Sequence, residues 1–333
     1  MLIGKQIVVS SDGFSAKIER DEWGVPHIYG TRDADVSFGL AYAHAEDDFK
    51  TIFDILLATR GKLATVYGKN AAVNDYYVHL MDIWNNVDSK YESDISDDVK
   101  ILCEGYAAGL NLFLEEYPEQ GKKIIYPVFG KDIIAGFSHR MPLMFGLKGV
   151  MKKLSKEKRP NTIGFKEKDE ENEPFKMVAS NVFAIAPHRS NDGYTRIWIN
   201  SHQPWEGPVA WYEAHFMSEE GWDFYGGLFP GSPIPLLGHN PHLGWSHTVN
   251  SPDLIDVYEL TINPDHKNQY WFEGEWKEMK VRKVSIKVKL FGPISWTFKR
   301  KVKESIHGPV MEFDHGSYAL RVSSVQNIKF IEE

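Results

Sequence analysis

The chain has 333 residues and carries 38 basic and 46 acidic side chains, which gives a formal net charge of −8 with histidine neutral. This acidic excess argues against a protein that is held on nucleic acid or on an anionic membrane by its bulk charge. Hydrophobic residues make up 42% and charged residues 25% of the chain, values that exclude a disordered, collagen-like or coiled-coil protein and predict a globular chain with a hydrophobic core.

The N-terminal block of the chain, residues 1–150, begins with a predicted strand. Residues 1–14 contain the single basic residue Lys5 and no apolar run of about 7 to 15 residues with a cleavage site, so they predict no signal peptide. Apolar and polar residues then alternate until the turn-forming sequence WGVP at 23–26. This alternation predicts a strand followed by a bend within residues 14–29.

Three helices are predicted in the rest of this block. Asp33 caps the first, and Gly61 lies just past its end, because the apolar residues between them recur near helical spacing. Ser96 begins the second, whose apolar stripe continues until Pro118 stops the helix. A third helix begins near Asp132.

A charged linker, residues 151–179, follows the helical block. Charges of both signs are mixed there, and Pro160, Gly164 and Pro174 interrupt any regular period. An unstructured stretch of this length is typical of a functional loop or a linker. The sequence therefore predicts a helical region at 1–150, a spacer at 151–179 and a third region at 180–333.

The third region has the pattern of β-structure. Two apolar runs, 182–185 and 196–199, flank the turn sequence NDG at 191–193 and predict a hairpin. Further strands are predicted at 212–217, 222–229 and 281–290. A helical block followed by a strand-rich block predicts an α+β fold.

Cysteine and histidine content limits the chemistry that the chain can carry. Cys103 is the single cysteine, so an intramolecular disulfide and a cysteine-based zinc site are both excluded. His239, His242 and His247 lie close together in sequence, which leaves a zinc hydrolase as an alternative. The sequence contains no HExxH segment, and glycine and proline around these histidines break helical spacing.

The junction between linker and strands carries the main chemical hypothesis. If the Ala179–Ser180 bond were cut, Ser180 would own both a hydroxyl group and a free α-amine, which has a reference pKa of about 7.7 to 8.0. The amine would then take the proton of the hydroxyl, so that one residue supplies both nucleophile and base. The alternative is a serine that merely begins a strand.

Several motifs, taken together, resemble the penicillin acylase family. They are RDEWGVPHIY at 20–29, FGLAYAHAED at 38–47, ATRG at 58–61, SN at 180–181, NSHQPW at 200–205, GHN at 238–240 and GWSHTV at 244–249. Members of this family are N-terminal nucleophile (Ntn) hydrolases with an αββα sandwich, made as one precursor that cuts itself into two chains. The resemblance implies a helical α-chain block, cleavage between Ala179 and Ser180, and a β-chain that is incomplete here.

The resemblance also implies roles for individual residues. Ser180 is the nucleophile for both self-cleavage and catalysis, and the backbone N–H of Val249 is one oxyanion donor. His202 occupies the position that orients the serine amine. The resemblance implies glutamine at that position in penicillin-selective members, whereas members that act on acyl-homoserine lactones and lipopeptides tend to carry histidine.

The expected chemistry predicts a substrate pocket, and the resemblance implies a metal site. Phe183, Trp205 and residues around 137–145 are expected to line an apolar acyl pocket. Asp253, the carbonyl of Ile255 and Asp256 match the positions that bind a structural Ca²⁺ in calcium-binding acylases, and no other cofactor is expected. A third carboxylate is not identifiable, so a solvated turn is the alternative.

The function that the resemblance implies is hydrolysis of an N-acyl amide, such as an N-acyl-homoserine lactone, through an ester on Ser180. The alternatives are a penicillin or β-lactam acylase and a catalytically silent fragment, because the family's second oxyanion donor, an asparagine, lies far downstream and the chain stops at Glu333. The expected partners are a small-molecule substrate and the cleaved or missing part of the enzyme, with no nucleic acid and no membrane. The family implies a periplasmic or secreted protein.

Overall fold

The fold combines a helical N-terminal part with strands that dominate from residue 180 onward. The computed structural model describes residues 6–156, 180–248, 250, 252–323 and 325–332. The helices are α1 (Asp33–Thr59), α2 (Ala64–Tyr67), α3 (Ala72–Leu80), α4 (Ile83–Asp94), α5 (Asp97–Glu116), α6 (Lys122–Ile125), α7 (Gly130–Met144) and α8 (Leu147–Leu154). None of the helices in the described ranges is long and apolar enough to cross a membrane.

The strands form two larger sheets and two hairpins. They are β1 (Gln6–Ser11), β2 (Phe14–Arg20), β3 (Pro26–Gly30), β4 (Ser180–Ile185), β5 (Arg196–Ser201), β6 (Tyr212–Ser218), β7 (Asp223–Leu228), β8 (Leu237–His239), β9 (Gly244–Trp245), β10 (Ile255–Leu260), β11 (Gln269–Phe272), β12 (Glu275–Glu278), β13 (Lys280–Phe291), β14 (Ile294–Ser305), β15 (Gly308–Phe313) and β16 (Gly316–Val322). One sheet has the order β1-β2-β3-β6-β7-β8-β9, and the other has the order β10-β16-β15-β14-β13. Among the described strands, β11 pairs with β12 alone and β4 pairs with β5 alone.

The seven-stranded sheet joins parts of the chain on both sides of the linker. Strand β3 pairs in parallel with β6, so that Ile28 lies beside Phe216. Both of these side chains are fully buried. The N-terminal and C-terminal regions therefore share one sheet and one hydrophobic core.

Helix α1 packs directly on this sheet and is in turn covered by α5. A Cβ atom on Gly39 would lie 2.6 Å from the Cβ of Ala16 and 2.8 Å from a methyl carbon of Ile28, so only glycine permits this approach. Gly109 has the same function on α5, where a Cβ would lie 2.2 Å from the carbonyl oxygen of Phe38. Two glycines thus set the spacing of sheet, α1 and α5.

The predicted elements of the N-terminal block are largely confirmed. The strand and bend at 14–29 correspond to β2 and β3, and the Ser96 hydroxyl accepts the Val99 N–H at 3.4 Å to cap α5. Helix α1 does begin at Asp33, but its cap residue is Arg32, whose N–H donates to the Asp35 carboxylate at 3.0 Å. Strand β1 is not among the predicted elements.

The boundary of the charged linker is later than predicted. The sequence predicts a linker from residue 151, whereas α8 continues through Leu154. Val150 and Leu154 are both buried, and this burial against the core extends the helix. The rest of the predicted spacer, residues 157–179, lies outside the described residues.

The predicted hairpin after the linker is confirmed as the antiparallel pair β4–β5. Among the described strands, this hairpin pairs with neither large sheet. Its apolar side chains are consequently exposed, with Phe183 at 59% and Trp198 at 50%. An α+β fold is confirmed, and the αββα sandwich stays a prediction.

Candidate active site

The predicted nucleophile lies at the first position of a strand. Ser180 begins β4, is half-buried and faces Ser201 of β5 in the antiparallel register. His202 is the next residue after Ser201, and its Nε2 atom lies 3.2 Å from Nδ2 of Asn200. The hairpin register therefore brings Ser180 and His202 to the same end of the ladder.

Two residues of the predicted site have no described geometry. Ala179 and Val249 both lie outside the described residues. The cleavage bond and the oxyanion donor therefore stay predictions.

The three histidines of the zinc alternative have separate surroundings. His239 lies on β8 with its ring 6.0 Å from that of Tyr225, and Nε2 of His247 lies 2.8 Å from the Leu236 carbonyl oxygen. His242 is exposed, and its N–H donates to Asn240. Within the described ranges, no group of three or more His, Cys, Asp or Glu side chains is placed to hold a metal.

The predicted calcium ligands lie where the chain enters β10. Asp253 and Asp256 are exposed, and the Ile255 side chain is 3% exposed. Asp256 faces Arg321 across the ladder with β16. Two carboxylates and a carbonyl fall short of the about six to eight oxygen ligands that Ca²⁺ takes, so the calcium site stays a prediction.

A cavity of about 430 Å³ lies between α1, α7 and the loop that follows His202. Its wall is mostly apolar. The lining residues are Lys50, Thr51, Asp54, Ile55, Ala58, Leu63, Tyr67, His139, Arg140, Leu143, Met144, Gly207, Pro208 and Val209. Helix α7 thus contributes part of the predicted pocket region 137–145.

Arg140 fixes one wall of this cavity. Its guanidinium donates to the carbonyl oxygens of Pro208 at 3.1 Å and Pro230 at 2.7 Å, and the residue is only 8% exposed. Burial lowers the pKa of Arg140 to about 10, so it stays charged at neutral pH. A buried cation that bonds carbonyl groups holds the loop at 207–209 against α7.

The ionisable side chains of the cavity are engaged within the protein. His139 Nε2 lies 2.8 Å from the Asn74 side-chain oxygen, and burial lowers the pKa of His139 to about 3. Lys50 and Asp54 form an ion pair, and the Tyr67 hydroxyl donates to Asp54 at 2.5 Å. The cavity therefore presents an apolar interior with one charged edge.

The two aromatic residues of the predicted pocket lie elsewhere. The Phe183 ring contacts Trp198, with centroids 5.4 Å apart, and Trp205 is 99% exposed. Neither lines the cavity. Sequence reasoning also missed Lys50 and Asp54, although their spacing of four residues places both on one helix face.

Charged residues of the N-terminal motifs hold the scaffold around this site. Arg20 donates to Asp47 at 2.8 Å and to Glu46 at 3.2 Å. Arg60 at the end of α1 makes two bonds of 2.6 Å to the Asp132 carboxylate near the start of α7. These motif residues therefore position α1 and α7, which form the cavity wall.

Comparisons with known proteins identify the family of the chain. The model of the penicillin amidase family matches residues 15–332. The acyl-homoserine lactone acylase PvdQ of Pseudomonas fluorescens is 24% identical over 96% of this chain and 44% of its own length. Aculeacin-A acylase of Actinoplanes utahensis is 24% identical over 90% of this chain and 41% of its own length.

Among solved structures, a thermostable penicillin G acylase from Alcaligenes faecalis is 28% identical, covers 43% of this chain and 25% of that chain, and has a TM-score of 0.35. The chain spans less than half the length of the two curated relatives named above. Because the family match extends over nearly all of the sequence, the chain belongs to the penicillin amidase family.

Proposed function

We propose that this chain carries the nucleophile of an amide hydrolase that releases the acyl group of an N-acyl amide, such as an N-acyl-homoserine lactone. The observation that supports this most directly is the continuity of one segment. Ser180 faces Ser201, His202 follows, and five residues later the chain forms the cavity wall at Gly207. Candidate nucleophile and apolar cavity are therefore linked by a short stretch of backbone.

The proposed chemistry begins with self-cleavage of the Ala179–Ser180 bond. The freed α-amine accepts the proton of the Ser180 hydroxyl, whose oxygen attacks the substrate carbonyl carbon. Collapse of the tetrahedral intermediate breaks the C–N bond, and the amine leaves with the proton. Water then hydrolyses the Ser180 ester to the carboxylic acid and regenerates the serine.

The cavity favours an apolar acyl group. Its volume of about 430 Å³ falls in the range of roughly 300 to 1,000 Å³ that small-molecule sites occupy. Leu143, Met144 and Val209 supply apolar surface, and the polar groups of His139 and Arg140 are engaged with the protein. Binding of an alkyl chain against such a wall is stabilised by the burial of apolar surface, and the polar contacts of His139 and Arg140 are kept.

A β-lactam acylase is the second candidate within the same chemistry. Histidine at position 202 favours the homoserine lactone, because the resemblance implies glutamine at this position in penicillin-selective members. The two candidate functions are distinguished by measuring the turnover of a long-chain acyl-homoserine lactone and of a penicillin with the same preparation. A strong preference for the penicillin would reverse the order of the two candidates.

A silent fragment is the third candidate, because the chain spans less than half of these relatives. A missing oxyanion donor lowers the rate by about 10²- to 10³-fold. Cleavage without detectable turnover would favour this candidate.

The processing of the full-length protein tests the proposal. We expect cleavage at Ala179–Ser180 without added protease, and N-terminal sequencing of the second fragment should begin at Ser180. Ser180→Ala should abolish cleavage and activity together, whereas Ser180→Cys should retain cleavage because a thiolate is a competent nucleophile. Ser201→Ala is the matched control, since it changes the facing serine and should leave cleavage intact. An uncut protein that hydrolyses N-acyl amides would defeat the mechanism.

A further inference from the structure

The β13–β14 ribbon differs in charge from the rest of the molecule. Residues 280–303 contain nine basic side chains and no acidic one, in a chain whose formal net charge is −8. The two strands pair along their length, from Lys280 opposite Glu304 to Phe291 opposite Ile294. Beyond Lys303, toward the turn, β14 has no partner other than β13 among the described strands. The ribbon therefore projects from the five-stranded sheet.

The strand register places five lysines on one face of this ribbon. Lys283 faces Lys301, Ser285 faces Lys299, Lys287 faces Thr297 and Lys289 faces Ser295. Alternation along each strand puts these side chains on the same side. The five are Lys283, Lys287, Lys289, Lys299 and Lys301, which we call the lysine face. All five are exposed, and none makes an ion pair with any other described residue.

The opposite face anchors the ribbon to the protein. Val284, Ile286 and Val288 are buried, and the last two pack against Ala64 of α2. Arg282 adds an ion pair to Asp82 at 2.8 Å. The lysine face is thus directed away from the protein.

The tip of the ribbon is apolar and exposed. Leu290 is 51%, Phe291 68% and Ile294 46% exposed, on either side of the Gly292–Pro293 turn. Trp296, two residues along β14, is 60% exposed. Soluble proteins rarely expose several large apolar side chains together, and such a patch indicates a binding surface.

We infer that this ribbon is a docking element for an anionic lipid surface. The apolar tip enters the interface between headgroups and acyl chains, where tryptophan is also favoured. The lysine face contacts the lipid phosphates, because basic residues near an anionic leaflet are attracted to it. From Lys283 to Lys289 the ribbon is about 20 Å long, so the lysines nearest the tip lie at headgroup level when the tip inserts.

The mixed aliphatic and aromatic composition of the tip favours lipid over nucleic acid. Single-stranded nucleic acid is bound by lysines together with aromatic rings on which bases stack. Phe291 and Trp296 are able to stack on bases, but Leu290 and Ile294, which share the exposed tip, are aliphatic and offer no such surface. All four side chains are suited to the boundary between headgroups and acyl chains. The acidic excess of the whole chain, which predicts no membrane binding, acts weakly at the ribbon because charges are screened beyond about 10 Å at 0.1 M salt.

Binding of the full chain to lipid vesicles tests this inference. We expect flotation with vesicles that contain phosphatidylglycerol and little flotation with pure phosphatidylcholine, with an affinity that falls as salt is raised. Lys287→Gln with Lys289→Gln should weaken binding roughly 30-fold, from about 1 kcal/mol for each lysine. Lys123→Gln with Lys152→Gln makes the same charge change at two other exposed lysines and should have little effect.

The tip is tested separately from the lysines. Phe291→Ser with Ile294→Ser should abolish insertion, which is measured as quenching of Trp296 by lipids brominated on their acyl chains, with Trp296→Phe as the reference. All substituted side chains are exposed, and circular dichroism checks that each variant folds. Equal binding to both vesicle types, equal loss in the control variant, binding to an oligonucleotide in place of vesicles, or a dimer that hides the tip would each overturn the inference.

Discussion

Ser180 and His202 lie at one end of the same hairpin, whereas Arg140 is held by carbonyl groups that are distant in the chain. The placement of Ser180 and His202 at one end of the β4–β5 ladder is predictable, because a hairpin with a turn at 191–193 fixes which residues face each other. The function of Arg140 is not predictable, because its acceptors, the carbonyls of Pro208 and Pro230, lie 68 and 90 residues away. Each residue has a backbone carbonyl, so the sequence does not indicate which carbonyls accept these bonds.

His44, within the motif at 38–47, is another residue whose function only the fold shows. It is 1% exposed and stacks on Tyr212 with ring centroids 3.8 Å apart. Its Nδ1 atom has no hydrogen-bond partner among the described residues. Burial lowers the pKa of His44 to about 3, from an ordinary value of 6.5.

This buried imidazole predicts a stability that depends on pH. Below pH 6.5 the unfolded chain binds a proton at His44 that the folded protein does not accept until about pH 3. The contribution of His44 to the free energy of unfolding is therefore fully present above pH 6.5. It is lost as the pH falls, by on the order of 2 kcal/mol at pH 5. Urea unfolding at pH 8 and pH 5 should show a smaller difference for His44→Phe than for the parent protein. The exposed His188→Gln serves as the control, and an equal reduction in both variants would contradict the assignment.

At the scale of elements, local signals predict helix ends better than helix contacts. The Ser96 cap and the Pro118 stop are read from neighbouring residues, and α5 has those bounds within two residues. Strand β1 buries only Val9 in its six residues, so it lacks the alternation that marks β2. The joining of α1 to α7 through Arg60 and Asp132 spans 72 residues, and no local pattern predicts it.

The ion pair between Arg60 and Asp132 predicts a loss of stability for Asp132→Asn. The Asp132 side chain is 1% exposed and accepts from Arg60 and from the Phe129 N–H at 2.9 Å. Removal of one charge from a buried pair leaves the other charge without its partner and costs about 3 to 5 kcal/mol. We expect the free energy of unfolding to fall by that order in a urea titration. Asp192→Asn breaks the exposed pair with Arg196 and should change stability little; similar losses in both would contradict the argument.

At the scale of the whole molecule, the predicted division into helical and strand-rich regions does not describe how the core is built. Strands β1 to β3 precede the linker, and β6 to β9 follow it, yet all belong to one sheet. A parallel pair such as β3–β6 cannot be formed by a short turn. Its partners are 188 residues apart at His27 and His215, a separation over which periodicity carries no information.

The shared sheet predicts that the two sides of the linker stay together when the linker is cut. We propose to place a recognition site for a specific protease within residues 157–179 and to cleave the folded protein. Because β3 pairs with β6, α1 packs on β6, and Arg140 bonds the carbonyls at 208 and 230, the fragments should elute as one species on native size-exclusion chromatography.

The stability of the cut protein should also depend on its concentration, unlike that of the uncut protein. Its unfolding midpoint should rise with protein concentration, since unfolding now separates two chains. Phe216→Asp places a charge at a fully buried position of β6 and should cause the fragments to separate after cleavage, because an unpaired buried charge is costly. Tyr194→Asp, at an exposed side chain, is the matched control and should leave them together. Fragments of the parent protein that elute apart would show that the sheet across the linker does not hold the two regions in solution.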